Sequence, residues 1–105
     1  MSTLNKKQIK REIWKKTKGK CAHCGKMVNE LDKSIDHFIP KSLGGDYDKR
    51  NLMPLCKSCN VNKGCCIVNP FKYYKYAPKK IVWDCIDYKM TLKRNYKQLP
   101  KCYAS

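Results

Sequence analysis

Asp36 and His37 stand side by side in the stretch IDHFIP, residues 35–40, and their side chains suit acid–base or metal chemistry. The carboxylate of Asp36 is a hard oxygen ligand of the kind that Mg²⁺ prefers. His37, one of only two histidines in the chain, is the side chain best matched to proton abstraction near neutral pH. The alternative is a strand with a polar pair of no chemical role. Neighbours on a strand point to opposite faces, so both can serve one site only if the strand ends or bends here, as Pro40 favours.

Two CxxC pairs flank this stretch, Cys21 with Cys24 and Cys56 with Cys59, and 31 residues separate them. Four thiolates at this spacing favour one tetrahedral zinc ion, which would contribute directly to folding in a chain of this length. Four free or disulfide-bonded cysteines are the alternative. His23, inside the first pair, is either a replacement ligand or, in our interpretation, a surface side chain.

Four further cysteines lack this spacing: Cys65, Cys66, Cys85 and Cys102. We expect small buried or exposed thiols, with a second metal or a disulfide through Cys85 and Cys102 as the alternative. The first twenty residues contain no apolar segment typical of a signal peptide, which predicts an intracellular, reducing compartment, cytoplasm or nucleus.

Asn60 is the candidate partner of Asp36. On a helix that begins near Cys56, the residues Cys56, Cys59, Asn60 and Lys63 fall on one face. Cysteines bound to zinc would then fix Asn60, whose amide oxygen can be a second ligand. Mg²⁺ or Mn²⁺ on these two residues, with His37 as a general base, would be sufficient for phosphodiester hydrolysis.

The elements that must position these residues can be predicted in outline. The segment 5–20 is typical of a basic helix, capped by Ser2, Thr3 or Asn5 and stopped near Gly19. The stretches SIDHFIP and NLMPL predict two short antiparallel strands joined by a long loop that contains Gly44 and Gly45. A short helix follows and ends at Gly64.

The net charge of +16 is concentrated in the two flanks. Residues 1–20 carry +7, residues 21–66 only +2, and residues 67–105 again +7. Such flanks favour a polyanionic partner, because phosphates are neutralised with release of counterions. Lysines that only keep a small protein in solution are the alternative. An anionic membrane surface is disfavoured because no long basic amphipathic helix with an apolar face is evident.

The ordered pattern C-x2-C, DH-x2-P, GG, NL-x2-LC-x2-CN-x2-KG resembles the HNH endonuclease family, whose core is a ββα-metal finger. The resemblance covers roughly Cys21 to Gly64. It implies a metal-dependent DNA endonuclease that nicks with low sequence specificity. The resemblance also implies His37 as general base, Asp36 and Asn60 as ligands of the catalytic ion, and Asn51 as the residue that orients the loop. The four paired cysteines would hold structural zinc. The chain departs from the family name at Asn60, which stands where the final histidine is expected.

The predicted fold class is therefore small α+β, with one domain over residues 1–105. It comprises a basic helix (1–20), a zinc-stapled ββα core (21–66) and a basic aromatic extension (67–105). In the extension, Phe71, Tyr74, Ile81 and Trp83 either cap a thin core or belong to a surface where bases stack. Lys41 and Lys63 are candidate phosphate contacts, with solvated lysine as the alternative.

DNA is the predicted partner, branched or single-stranded forms included, with RNA less favoured and no membrane. The sequence leaves the oligomeric state open, with a homodimer as one option. The abundance of Lys, Asn, Tyr and Ile hints at a phage, viral or mobile-element origin. A non-catalytic zinc module that binds DNA or RNA, or a subunit of a nucleoprotein complex, is the competing hypothesis, and a protein–protein adaptor is a weaker third.

Overall fold

The protein is described by a computed structural model, which covers residues 5–95 and 103–104. Its helices are α1 (Lys6–Lys15), α2 (Lys57–Lys63), α3 (Pro70–Tyr73) and α4 (Lys79–Asn95). Its strands are β1 (Lys33–His37), β2 (Leu52–Cys56), β3 (Ile67–Val68) and β4 (Tyr103–Ala104), and three short 3₁₀ turns lie at Glu30–Asp32, Lys41–Leu43 and Lys49–Asn51. The small α+β class is confirmed. None of the helices in these residues is long and apolar enough to cross a lipid bilayer.

Helix α1 begins at a capping box. Asn5 accepts a hydrogen bond from the Gln8 amide at 2.9 Å, and the Gln8 side chain accepts one from the Asn5 amide at 3.0 Å. This exchange satisfies backbone donors that the first helical turn leaves free. Of the three cap residues that the sequence offered, Asn5 is the one used. On the inner face of α1, Ile13 and Trp14 are buried, and the Trp14 indole donates to the Ser34 carbonyl of β1 at 3.0 Å.

Strands β1 and β2 form the predicted antiparallel pair, with His37 opposite Leu52 and Lys33 opposite Cys56. All five residues of β2 are buried, because α1 packs on this pair and the C-terminal segment covers the core. Helix α2 follows β2 directly, packs on the pair and ends at Gly64. The strand–loop–strand–helix order of the ββα finger is thus present.

The segment after Gly64 folds back over the finger. Tyr74, Val82, Cys85 and Tyr88 are buried in the same core as Phe38, Met53 and Leu55. Helix α4 packs against the Lys49–Asn51 turn, and the short strand β3 pairs in parallel with β4. The core interpretation of Phe71, Tyr74, Ile81 and Trp83 is confirmed for two of these four residues. Tyr74 is buried and Ile81 packs on the core, whereas Phe71 and Trp83 are 43% and 57% exposed and contact each other edge to face.

Candidate active site

Four of the residues singled out by the sequence line one open cleft of about 430 Å³. Asp36 and His37 at the end of β1, Asn60 on α2 and Lys41 after the strand all line it. Strand β1 ends at His37, which allows neighbouring residues to face one cleft despite the alternation of a strand. Helix α2 and the β1–β2 pair therefore meet where the sequence predicted a site.

Asp36 is 2% exposed and has two close partners. Its Oδ1 lies 3.1 Å from the Lys63 ammonium, and its Oδ2 accepts a hydrogen bond from the Tyr74 hydroxyl. Burial raises the pKa of Asp36 above its ordinary value, although the charge of Lys63 and the hydroxyl of Tyr74 oppose this rise. The pKa of Tyr74 is itself raised well above its ordinary value, first by burial and then by the charge of Asp36. Tyr74 therefore remains a proton donor to the carboxylate.

A carboxylate has about four acceptor positions, so two hydrogen-bonding partners leave capacity for a cation. Asn60 lies beside the same strand and donates from its amide nitrogen to Ser34 Oγ at 3.0 Å. This hydrogen bond uses the amide nitrogen of Asn60, so the amide oxygen is the atom that would bind a metal. Carboxylate and amide oxygens are hard donors of the kind that Mg²⁺ and Mn²⁺ take. The donor set in the cleft thus fits a divalent ion of this class.

His37 presents an imidazole suited to accepting a proton. Its Nε2 is buried and has no hydrogen-bond partner among the described residues. The ring contacts Tyr47 edge to face, with 5.0 Å between centroids. Burial and then the charge of Lys41 lower the pKa of His37 below its ordinary value of 6.5, while Asp36 works in the opposite direction. A neutral imidazole at physiological pH is the form that acts as a general base.

Asn51 is fully buried and ties the chain after His37 into place. Its Oδ1 accepts from the Ile39 amide at 2.7 Å, and its Nδ2 donates to the carbonyls of Ile39 and Asp46, each at 3.1 Å. The Asn51 carbonyl also accepts from the Phe38 amide at 2.7 Å. The side chain therefore joins both ends of the loop, a placement consistent with the orienting role that the family resemblance implies.

The two candidate phosphate contacts lie in different environments. Lys41 is exposed at the rim of the cleft, with its ammonium 4.7 Å from the centre of the Tyr47 ring. Lys63 is only 2% exposed, pairs with Asp36 and donates to the His37 carbonyl at 3.0 Å. Contact between Lys63 and a phosphate would require this buried pair to open, so the structure favours an internal role for Lys63 and leaves Lys41 as the accessible candidate.

The four paired cysteines meet at the start of α2. The Sγ atoms of Cys21, Cys24, Cys56 and Cys59 all lie within 4.8 Å of one another. Zinc–sulfur bonds of about 2.3 Å in a tetrahedron separate sulfurs by about 3.8 Å. The arrangement fits a closed four-cysteine zinc site. The first pair turns at Gly25, whose φ of +79° favours glycine and whose Cα faces the Tyr76 ring so closely that an added Cβ would lie 2.8 Å from it.

His23 does not join this group. Its Nδ1 donates to the Tyr73 carbonyl at 2.7 Å, and the two rings stack with 3.9 Å between centroids. Cys65 is exposed, whereas Cys85 is buried and its pKa is raised to about 12 by burial. No disulfide bond joins the cysteines within the described residues. Cys102 lies outside the described residues, so the alternative pairing of Cys85 with Cys102 stays a prediction.

Two aromatic residues of the site escaped prediction. Tyr74 contacts Asp36 across 38 positions of sequence, and Tyr47 contacts His37 from within the loop. The sequence indicates only a core or stacking role for Tyr74, since no fixed spacing links it to Asp36. For Tyr47, the sequence offered one indication, its position in the loop that leads from the DH pair back to the second strand.

Known proteins resemble this chain over the same part of the sequence. The family model for HNH endonuclease matches residues 21–65. Septu protein PtuB of Bacillus thuringiensis is 34% identical over 67 residues, which are 60% of this chain and 26% of that protein. CRISPR-associated endonuclease Cas9 of Corynebacterium diphtheriae is 36% identical over 45 residues, which are 42% of this chain and 4% of that protein. The chain thus spans about a quarter of the length of PtuB and a small part of Cas9.

The matched segment contains both cysteine pairs, Asp36, His37, Asn51 and Asn60. Both this match and the strand–loop–strand–helix order around the cleft thus make residues 21–65 similar to an HNH endonuclease domain.

Proposed function

We propose that this chain is a metal-dependent endonuclease that hydrolyses phosphodiester bonds in DNA, cutting one strand at a time with low sequence specificity. The observation that carries the proposal is that His37, Asp36 and Asn60 line one cleft within the segment matched to HNH endonucleases. A protein that only bound nucleic acid would need none of these three side chains in that arrangement.

In the proposed reaction His37 takes the proton of the attacking water. The partner-free Nε2 and the lowered pKa of His37 support this role, since the imidazole is then neutral and free to accept a proton. Asp36 and Asn60 would hold the divalent ion. When bound, Mg²⁺ or Mn²⁺ would supply stabilisation of negative charge on the phosphate. Tyr74 and Lys63 would keep the Asp36 carboxylate in a fixed orientation.

The zinc group has a structural part in this proposal. A four-cysteine zinc is coordinatively closed and supplies no reactive position. Cys56 and Cys59 lie at the start of α2, on the helix that also carries Asn60. Zinc would thus fix the first turn of α2 against the first cysteine pair and, through the helix, the position of Asn60.

The competing function is a non-catalytic zinc module that binds DNA or RNA. One observation favours it: Asp36 is buried and already has Lys63 and Tyr74 as partners, which is also how a purely structural carboxylate would be held. The two functions differ in one measurable property, cleavage that depends on both a divalent ion and His37.

The test is nicking of supercoiled plasmid by zinc-loaded protein with Mg²⁺ or Mn²⁺. We expect relaxation by the wild type and a loss of at least about 100-fold in His37→Ala, the scale of a missing general base. His23→Ala is the matched control, because it removes the other histidine, which stacks on Tyr73 and does not line the cleft.

Equal nicking by His37→Ala and wild type would remove His37 from the proposed role. The binding module would be established instead if folded, zinc-loaded wild type bound the plasmid without cutting it and also failed to cut branched DNA or RNA.

A further inference from the structure

Three surface clefts connect α1 to the candidate active site. The first, about 370 Å³, is lined by α1 residues and by the turn that follows, and the second, about 190 Å³, lies between α1 and β1. Lys10 lines both of them. Ile35 lines the second cleft and also the 430 Å³ cleft that contains His37. Each shared residue places two of the clefts next to each other, and we call the row of three clefts the α1 groove.

Most charged groups of the α1 groove are cationic. The first cleft is lined by Lys10, Arg11, Lys15, Lys18, Lys33 and a single acid, Glu30. Glu30 is neutralised by Lys33, whose ammonium lies 3.3 Å from its carboxylate. The one acid of α1, Glu12, pairs with Lys49. The positive charge along the groove is therefore not balanced by the protein's own acids.

The second cleft adds an aromatic side chain next to the catalytic base. Tyr47 lines it together with Lys6, Lys10 and Ile35. The Tyr47 ring is 42% exposed, contacts the His37 ring and has the Lys41 ammonium over its face. An exposed ring flanked by ammonium groups is the combination that packs on sugars or bases while lysines bind the phosphates.

We propose that the α1 groove binds the sugar–phosphate backbone of one DNA strand and leads it to His37. The inference rests on the proposed nuclease function and adds the surface that holds the substrate, of which helix α1 lies outside the family-matched residues. Helix α1 has ten residues and so is about 15 Å long. With about 3.4 Å of helix axis per phosphate in each strand, this length faces roughly four phosphates of a duplex. The unbalanced cations on α1 are enough to contact each of them.

The test is DNA binding by full-length, zinc-loaded protein carrying His37→Ala, so that cleavage does not interfere. The affinity for a short labelled duplex is measured by fluorescence anisotropy over a range of salt concentrations. The double variant Lys6→Ala/Lys10→Ala removes two charges from the groove. Its matched control is Lys79→Ala/Lys80→Ala, which removes two exposed charges from the start of α4, a position that lines none of the three clefts.

We expect the groove variant to lose about tenfold or more in affinity, and its slope of log K against log salt to fall by about 1.8, since each phosphate contact contributes about 0.9. The control should change the slope by much less. All variants should keep the zinc content and melting temperature of the parent, because alanine is a good helix former at exposed positions.

Equal losses of DNA affinity in the two double variants would contradict the proposed groove, because they would show attraction by net charge alone. Unchanged affinity in both would also overturn it. Stronger binding to phosphatidylserine vesicles or to an RNA duplex than to DNA, measured by competition, would reject DNA as the occupant. The nicking assay on the wild type tests the nuclease function separately. If the protein needs Lys6 and Lys10 to bind DNA but never cuts it, the proposed groove stands and the proposed nuclease function fails.

Discussion

At the scale of single residues, the chain places a carboxylate where water cannot balance its charge and then supplies two partners for it. Burial of an unpaired charge is strongly unfavourable, so a buried carboxylate needs a cation or hydrogen-bond donors. Asp36 receives one cation, Lys63, from α2 and one hydroxyl, Tyr74, from the segment after the finger. Lys63 also donates to the His37 carbonyl. Both residues of the DH pair, Asp36 and His37, are thus held by the same ammonium group.

The Tyr74→Phe substitution tests whether the hydroxyl matters for the cleft. It removes one oxygen while preserving the ring that packs against Phe38. Outer partners of metal ligands typically contribute 10- to 100-fold in metal affinity or activity, so we expect Mn²⁺ binding and nicking each to weaken by about tenfold. Calorimetric titration of Mn²⁺ measures the first quantity without relying on activity.

Tyr73→Phe is the control for this substitution. Tyr73 is the next residue, and its hydroxyl donates to the Cys59 carbonyl at 3.0 Å instead of to Asp36. It should leave Mn²⁺ affinity near the wild-type value. If both phenylalanine variants bound Mn²⁺ as tightly as the wild type, Tyr74 would be a core residue with no part in orienting Asp36.

The residues that touch the cleft were predictable where type and spacing are local. Asp36 with His37 is a sequence neighbour pair, and Asn60 follows from the helical spacing after Cys56. Tyr74 was not predictable as a partner of Asp36, because the contact depends on how the C-terminal segment folds back. The burial of Lys63 was also missed, since helical spacing places it on the same face as Asn60 without stating what that face packs against.

At the scale of elements, the loop between β1 and β2 is built around a close approach of backbone to backbone. A Cβ added at Gly45 would lie 1.7 Å from the Ile39 carbonyl oxygen and 3.0 Å from Asn51 Nδ2. The Gly45 amide also donates to the Pro40 carbonyl at 2.9 Å. Of the two adjacent glycines, Gly45 is thus required by space. Gly44 is favoured by its φ of +98° alone, because nothing lies within 4 Å of an added Cβ there.

The Gly45→Ala substitution should therefore destabilise the loop more than Gly44→Ala. We expect Gly45→Ala to lower the free energy of unfolding by about 3 kcal/mol, the upper part of the range for overpacking. Gly44→Ala should cost about 1 kcal/mol, from the left-handed backbone conformation only. Urea denaturation of the two variants gives the comparison.

Nicking should fall more steeply in Gly45→Ala, because the displaced Ile39 carbonyl is the group that Asn51 holds. A larger loss of stability in Gly44→Ala than in Gly45→Ala would show that the loop is not closed as the structure describes.

The long helix α4 could have been predicted from the spacing of its apolar residues. Its buried residues Val82, Cys85, Tyr88 and Leu92 recur every three or four positions, the period of an amphipathic helix. The aromatic and basic composition of this segment does not by itself indicate a helix. The contacts of α4 with the loop could not be predicted: Tyr88 donates to Asp46 at 2.8 Å, and Arg50 donates to Thr91 at 3.3 Å. Both cross more than forty positions of sequence.

At the scale of the whole molecule, two constraints hold the finger together. The four-cysteine group joins the first knuckle to the β2–α2 junction, and the C-terminal segment covers the core with Tyr74, Val82 and Tyr88. A chain of 105 residues buries a modest fraction of its surface, so each constraint accounts for a sizeable share of the total stability.

Loss of zinc should therefore unfold the finger rather than only weaken the cleft. We expect Cys56→Ser to bind less than one zinc per chain and to melt at a markedly lower temperature, because structural zinc binding is coupled to folding. Cys65→Ser is the control, since Cys65 is exposed and outside the four-cysteine group. Calorimetric melting with zinc counted by mass spectrometry measures both properties. If chelation left the wild-type melting curve unchanged while a thiol reductant lowered it, disulfides would replace zinc as the constraint, and the fixed position proposed for Asn60 would need another cause.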